Sequence, residues 1–67
     1  MLTAKRINEY DVMVWGPAGR VEEFGRALRA YGLRILRVSP TAIQVSFDGH
    51  ADLRRQLPPV GSVYELE

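Results

Sequence analysis

Residues 10–38 read YDVMVWGPAGRVEEFGRALRAYGLRILRV, and this stretch predicts two strands joined by a helix. Tyr10–Trp15 alternates between two faces, as half-buried strands do. Its valine face is expected to point to the core, because Asp11 on the other face would be costly to bury without a partner. The glycine- and proline-containing residues 16–19 end this strand.

A helix and a second strand follow. An apolar stripe at three- and four-residue spacing predicts a helix over residues 20–31; the stripe consists of Val21, Phe24, Leu28 and Tyr31. Gly32 is well placed to end this helix in the left-handed conformation. Leu33–Val38, rich in branched apolar residues, then predicts the second strand.

The rest of the chain predicts a hairpin, a short helix and a last strand. Pro40 suits a turn, and the alternating stretch Ala42–Phe47 after it predicts a third strand. Asp48 is a candidate N-cap for a short helix of one or two turns that the two prolines after Leu57 stop. Val60–Glu67 predicts the last strand.

The element order β-α-β-β-α-β predicts one α+β domain over residues 1–67 with a ferredoxin-like arrangement. Right-handed crossovers place both helices on one face of a four-stranded antiparallel sheet, whose central strands are the first and third. Residues 1–9, polar and mixed, form a short N-terminal arm or lead directly into the first strand.

The composition limits how such a small domain is supported. A chain of 67 residues buries only about 60% of its unfolded surface. Domains of this size therefore commonly gain additional stability from disulfides, a bound metal or oligomerisation. With no cysteine and a single histidine, His50, neither a disulfide nor a structural zinc site is expected. Self-association, most simply as a homodimer, is the expected support.

Charge and hydropathy indicate which class of partner and which cellular compartment to expect. A formal net charge of +1 lacks the basic excess usual in nucleic-acid binders, so nucleic acid is not expected as a partner. Neither a signal peptide nor an apolar run of about 18 residues is seen, which predicts a cytoplasmic protein without membrane contact. Abundant arginine with only three Asn and Gln residues favours a thermophilic source.

No catalytic constellation is recognisable, so we expect a non-enzymatic protein without cofactor or metal. His50 is better explained as a polar residue that opens a helix than as a base. The carboxylate pairs Asp48 with Asp52, and Glu65 with Glu67, suit a helix start and a charged edge strand.

Two groups of residues are candidate binding sites. Gly16, Gly19 and Arg20 lie where a strand leads into a helix, and backbone N–H groups there can hold an anion or carboxylate. The second group is an apolar patch on the uncovered sheet face, where a second copy or a protein partner is expected to bind; its members are Met13, Trp15, Leu36, Val38 and Ala42.

The run Gly16–Val21, with Leu28, Gly32-Leu33 and Ile35, resembles the first half of an ACT regulatory domain. The resemblance implies a ferredoxin-like fold and a small effector, such as an amino acid, bound near the first loop and helix. In length and composition the chain also resembles short stand-alone proteins of unknown function from thermophilic bacteria. Two functions therefore stand: a self-associating interaction module, or an ACT-like effector-binding domain that uses Gly16–Arg20.

Overall fold

A computed structural model describes residues 1–66 and confirms the α+β class. Glu67, included in the predicted last strand and in the Glu65–Glu67 pair, lies outside the described residues. Five strands and two helices follow one another in the order β1 (Leu2–Arg6), β2 (Asp11–Trp15), α1 (Ala18–Ala30), β3 (Arg34–Ser39), β4 (Ala42–Ser46), α2 (Ala51–Arg54) and β5 (Val63–Leu66).

The strands form one sheet in the order β3-β4-β2-β1-β5, and each neighbouring pair is antiparallel. The two strands predicted to be central, β2 and β4, are neighbours, and β3 lies at an edge. Because β2 and β3 both run antiparallel to β4, the unit β2-α1-β3 is the expected split βαβ arrangement.

The predicted ferredoxin-like arrangement is wrong in the other half of the sheet. Residues 2–6, expected to lie in an arm or lead into the first strand, form β1, which pairs with β2 on one side and β5 on the other. The sheet therefore has five strands rather than four. With two strands between them, β4 and β5 run in opposite directions instead of forming a second parallel crossover.

Burial explains why β1 joins the sheet. Leu2 and Ala4 are 2% and 0% exposed and face the same side as the valines of β2 and β4. Ala4 lies between Val14 and Tyr64 in neighbouring strands. The buried core combines these residues with one helix residue and the residue after Gly32: Leu2, Ala4, Val12, Val14, Val21, Leu33, Ile43 and Val45.

The helices differ from the prediction at their ends. α1 begins at Ala18, two residues earlier than expected, and Gly32 ends it with φ +87°. The N–H groups of Gly32 and Leu33 donate to the carbonyls of Arg29 and Leu28, which satisfies the end of the helix. α2 is a single turn with His50 at the N-cap position and no side-chain capping hydrogen bond, so Asp48 is not the N-cap.

A five-stranded sheet is too wide for this helical layer. Four inter-strand spacings give a width of about 19 Å, whereas one helix with its side chains covers about 10 Å. α1 lies over β3 and β4, and α2 contributes no buried residue. The inner face is therefore covered only in part, and its two flanks carry depressions.

Leu2→Ala tests the placement of β1. We expect a loss of about 2–4 kcal/mol in the free energy of unfolding, the cost typical of a buried leucine, measured as a lower urea midpoint. Leu53→Ala is the matched control on the half-exposed α2, with an expected loss below about 1 kcal/mol. Equal losses in both variants would contradict the burial of β1.

Candidate functional site

The sheet face opposite α1 is open to solvent. We call it the open face and define it by the side chains that alternate with the core residues on all five strands: Thr3, Lys5, Asp11, Met13, Trp15, Arg34, Leu36, Ala42, Gln44, Ser46, Val63 and Glu65. In the strand register, Trp15 stands between Thr3 and Ala42. Its ring therefore has a small side chain on each side within its row.

The open face brings together four of the five residues predicted to form an apolar patch. Trp15 is 37% exposed although it lies in an inner strand, and it is directly opposite Ala42. Met13 and Leu36 lie in the next row, separated by Gln44. Val38, which is 58% exposed, lies where the β3–β4 register shifts, at the edge of the same sheet.

The part of the open face formed by β1 and β5 was not predicted from the sequence, because it depends on the pairing of β1 with β5. Val63, 60% exposed, is opposite Lys5, and Glu65 is opposite Thr3. The face therefore carries an apolar centre with a cation and an anion near one edge. The alternation of residues 2–6 was the only available signal.

Hydrogen bonds between polar groups order the end of the open face that lies next to the β1–β2 turn. The Asp11 carboxylate accepts hydrogen bonds from the Gln44 amide at 2.7 Å and the Asn8 amide at 3.3 Å. Asn8 Oδ1 in turn accepts from the backbone N–H of Tyr10 and Asp11 at 2.9 and 2.8 Å. These bonds fix the β1–β2 turn and explain why Asp11 tolerates a half-buried strand position.

Within the predicted loop site Gly16, Gly19 and Arg20, Gly16 has a packing reason to be glycine, whereas a Cβ on Gly19 would meet nothing within 4 Å. A Cβ on Gly16 would lie 2.7 Å from Leu2 Cδ2, so a glycine is needed where the chain passes close to β1. Gly19 and Arg20 belong to the first turn of α1 rather than to a loop. None of the three lines a cavity found in residues 1–66.

His50 connects the two helices. Its Nε2 lies 3.2 Å from the carbonyl oxygen of Gly32, just beyond the end of α1, and the residue is half-buried. This hydrogen bond gives His50 a structural role at the start of α2. Within residues 1–66 there is no group of three or more His, Cys, Asp and Glu side chains that could hold a metal ion.

A groove that the sequence did not predict runs between α1 and β3. This α1–β3 groove has a volume of about 220 Å³. Its floor is apolar, built mainly from Val21, Gly25, Ile35 and Ile43. Its charged lining residues are Glu22, Arg26, Arg29 and Arg37.

A smaller apolar cavity of about 70 Å³ lies on the opposite flank of α1. Phe24, Leu28 and Leu57 line it from the helical side, and Tyr64 and Leu66 from β5. Burial raises the pKa of Tyr64 above its usual value of 10.0, against the opposing charge of Arg6. The guanidinium of Arg6 also donates to the Pro58 carbonyl at 2.9 Å, which holds the chain before β5.

Tyr64 predicts a loss of stability in alkaline solution. Because its folded-state pKa is above the unfolded value of 10.0, its contribution is fully present below pH 10 and is lost as the pH rises through the folded value. We expect Tyr64→Phe to flatten the fall in urea midpoint between pH 9 and pH 11. Tyr31→Phe, at a highly exposed tyrosine, serves as control and should keep the wild-type slope; equal slopes in all three proteins would contradict the prediction.

No protein-family model, curated protein or solved structure matches the chain. No helix within residues 1–66 is long and apolar enough to cross a membrane. The open face and the α1–β3 groove are the two candidate surfaces: the first presents exposed apolar side chains, and the second combines an apolar floor with three arginines and one glutamate.

Proposed function

We propose that this protein is a small non-enzymatic interaction module whose copies associate through the open face as a two-fold homodimer. Trp15 carries the proposal, because it is a large aromatic side chain exposed on an inner strand. Tryptophan and methionine are enriched at protein interfaces, and Met13 lies beside Trp15 on the same face. The Gly16–Arg20 effector site has less support, because Gly16, Gly19 and Arg20 line none of the cavities described above and only Ala18 of this run borders the α1–β3 groove.

The shape of the open face suits a second copy. Two sheets pack face to face at about 10 Å, with side chains from one sheet between those of the other. Thr3 and Ala42 flank Trp15 with small side chains, which favours insertion of the tryptophan of a second copy beside it. A two-fold axis makes both copies use the same patch, which needs this kind of self-complementarity.

The charges of the open face are also self-complementary. Lys5 and Glu65 lie on adjacent strands near the same edge, one positive and one negative. An antiparallel arrangement of two copies lets each Lys5 approach the Glu65 of the other. Such rim pairs contribute little affinity but set the orientation of the two copies.

The size of the face predicts weak association. With strands of about five residues, the sheet measures roughly 19 Å by 17 Å, or about 320 Å² in plan. Stable dimers bury about 800 Å² per subunit, so the open face alone falls at the weak end of the range. The dimer is therefore expected at high micromolar concentrations rather than at nanomolar ones.

Trp15→Lys tests the proposal by sedimentation equilibrium. The wild-type protein should approach twice its monomer mass of 7.6 kDa as its concentration rises toward the millimolar range, whereas Trp15→Lys should remain a monomer. Tyr31→Lys places the same charge on an exposed aromatic residue at the end of α1, off the open face, and should dimerise like the wild type.

Circular dichroism checks that each variant keeps its fold. A wild-type protein that stays at 7.6 kDa throughout this range would overturn the proposal. A Trp15→Lys variant that dimerises as well as the wild type would exclude the open face as the interface.

A further inference from the structure

We propose that the α1–β3 groove binds an acidic, extended peptide segment, which pairs with the free edge of β3 as a sixth strand. The groove lies on the helix side of the sheet, so this inference does not depend on self-association through the open face. Addition of a strand to an exposed sheet edge is an established mode of peptide recognition, in which backbone hydrogen bonds give affinity and side-chain pockets give selectivity.

The first observation is the edge itself. β3 ends the strand order and pairs only with β4, which leaves one side of a six-residue strand available for pairing. Arg34 and Arg37 are exposed on this strand. Two copies of β3 paired with each other would bring these arginines together, and like charges on adjacent strands are destabilising. The same arginines favour an acidic strand.

The second observation is the floor of the groove. Ile35 is half-buried and offers an apolar surface to an inward-pointing aliphatic side chain of a bound strand, whereas Val21 and Ile43 are almost fully covered. Gly25 lets α1 pack closely on the sheet, because a Cβ at this position would lie 3.3 Å from Ile43 Cδ1. A volume of about 220 Å³ suits one or two side chains, whereas pockets for drug-sized ligands are roughly 300–1,000 Å³.

The third observation is the charge of the lining. Three arginines and one glutamate give the groove an excess of two positive charges. Glu22 is already paired with Arg26 at 3.0 Å, with both side chains exposed. Arg29 and Arg37 form no ion pair within residues 1–66 and lie on opposite sides of the groove, one on α1 and one on β3. Carboxylates of a bound strand can reach both.

The test uses the full chain and a dye-labelled, end-capped eight-residue peptide, Glu-Glu-Val-Val-Glu-Glu-Val-Val, in which each face of the strand carries both glutamate and valine. Fluorescence anisotropy should show saturable binding to the wild-type protein, weakened at least tenfold in the double variant Arg29→Glu/Arg37→Glu. The matched control is Arg20→Glu/Arg55→Glu, which makes the same change in net charge at exposed arginines outside the groove. This control should bind within about twofold of the wild type, since distant exposed charges are largely screened by salt.

A second peptide separates strand pairing from attraction between charges. Proline at one valine of each Val-Val pair keeps every carboxylate but removes backbone donors and prevents a regular strand. This peptide should bind at least tenfold more weakly. Equal binding of the two peptides, or equal loss in both double variants, would overturn the proposal.

Two further outcomes identify other ligands or surfaces. An eight-nucleotide oligothymidylate that displaces the peptide at equal concentration would overturn the peptide assignment in favour of a general anion surface. At protein concentrations too low for the wild type to dimerise, Trp15→Lys should bind the peptide like the wild type. Loss of binding in that variant would show that the peptide binds at the open face and not in the groove, which would overturn the proposal.

Discussion

The structure depends on β1 occupying the position between β2 and β5. Its two inward side chains, Leu2 and Ala4, are buried, and its two edges provide the partners for both neighbouring strands. Without β1, β5 has no strand to pair with, because its only ladder is to residues 2–5. The guanidinium of Arg6 continues this connection by donating to the carbonyls of Asn8, Glu9 and Pro58. A chain without cysteine thus joins its two ends through backbone pairing.

The insertion of β1 also shapes the half of the sheet that lies away from β3. It widens this half beyond the span of α1, and the apolar cavity beside Tyr64 lies there. A longer second helix would cover part of this face, but Pro58 and Pro59 follow soon after the single turn of α2 and prevent it from continuing. The same insertion extends the open face onto β1 and β5, which contribute Lys5 and Val63 to it.

The elements with strong periodicity were predictable, and the way they assemble was not. Residues 10–47 show two alternating strands, an apolar helical stripe and a terminal glycine, so their elements and inward faces follow from local pattern. β1 has only two inward apolar residues within five, too few for a clear signal, and its position depends on pairing with residues 63–66. The open-face residues on β2, β3 and β4 were predictable because alternation is local, whereas those on β1 and β5 were not. The groove was not, because Arg29 and Arg37 resemble ordinary solvated arginines until α1 is packed beside β3.

The two proposed surfaces meet on β3, whose residues alternate between them. Leu36 belongs to the open face, whereas Ile35 and Arg37 line the groove. A peptide strand at this edge would widen the sheet by about 4.8 Å and so enlarge the face available to a second copy. Since the estimated area of the open face is well below that of a stable dimer, such an enlargement would strengthen association. By thermodynamic reciprocity, association would then increase the affinity for the peptide by the same factor, which would couple partner recognition to self-assembly through one edge strand.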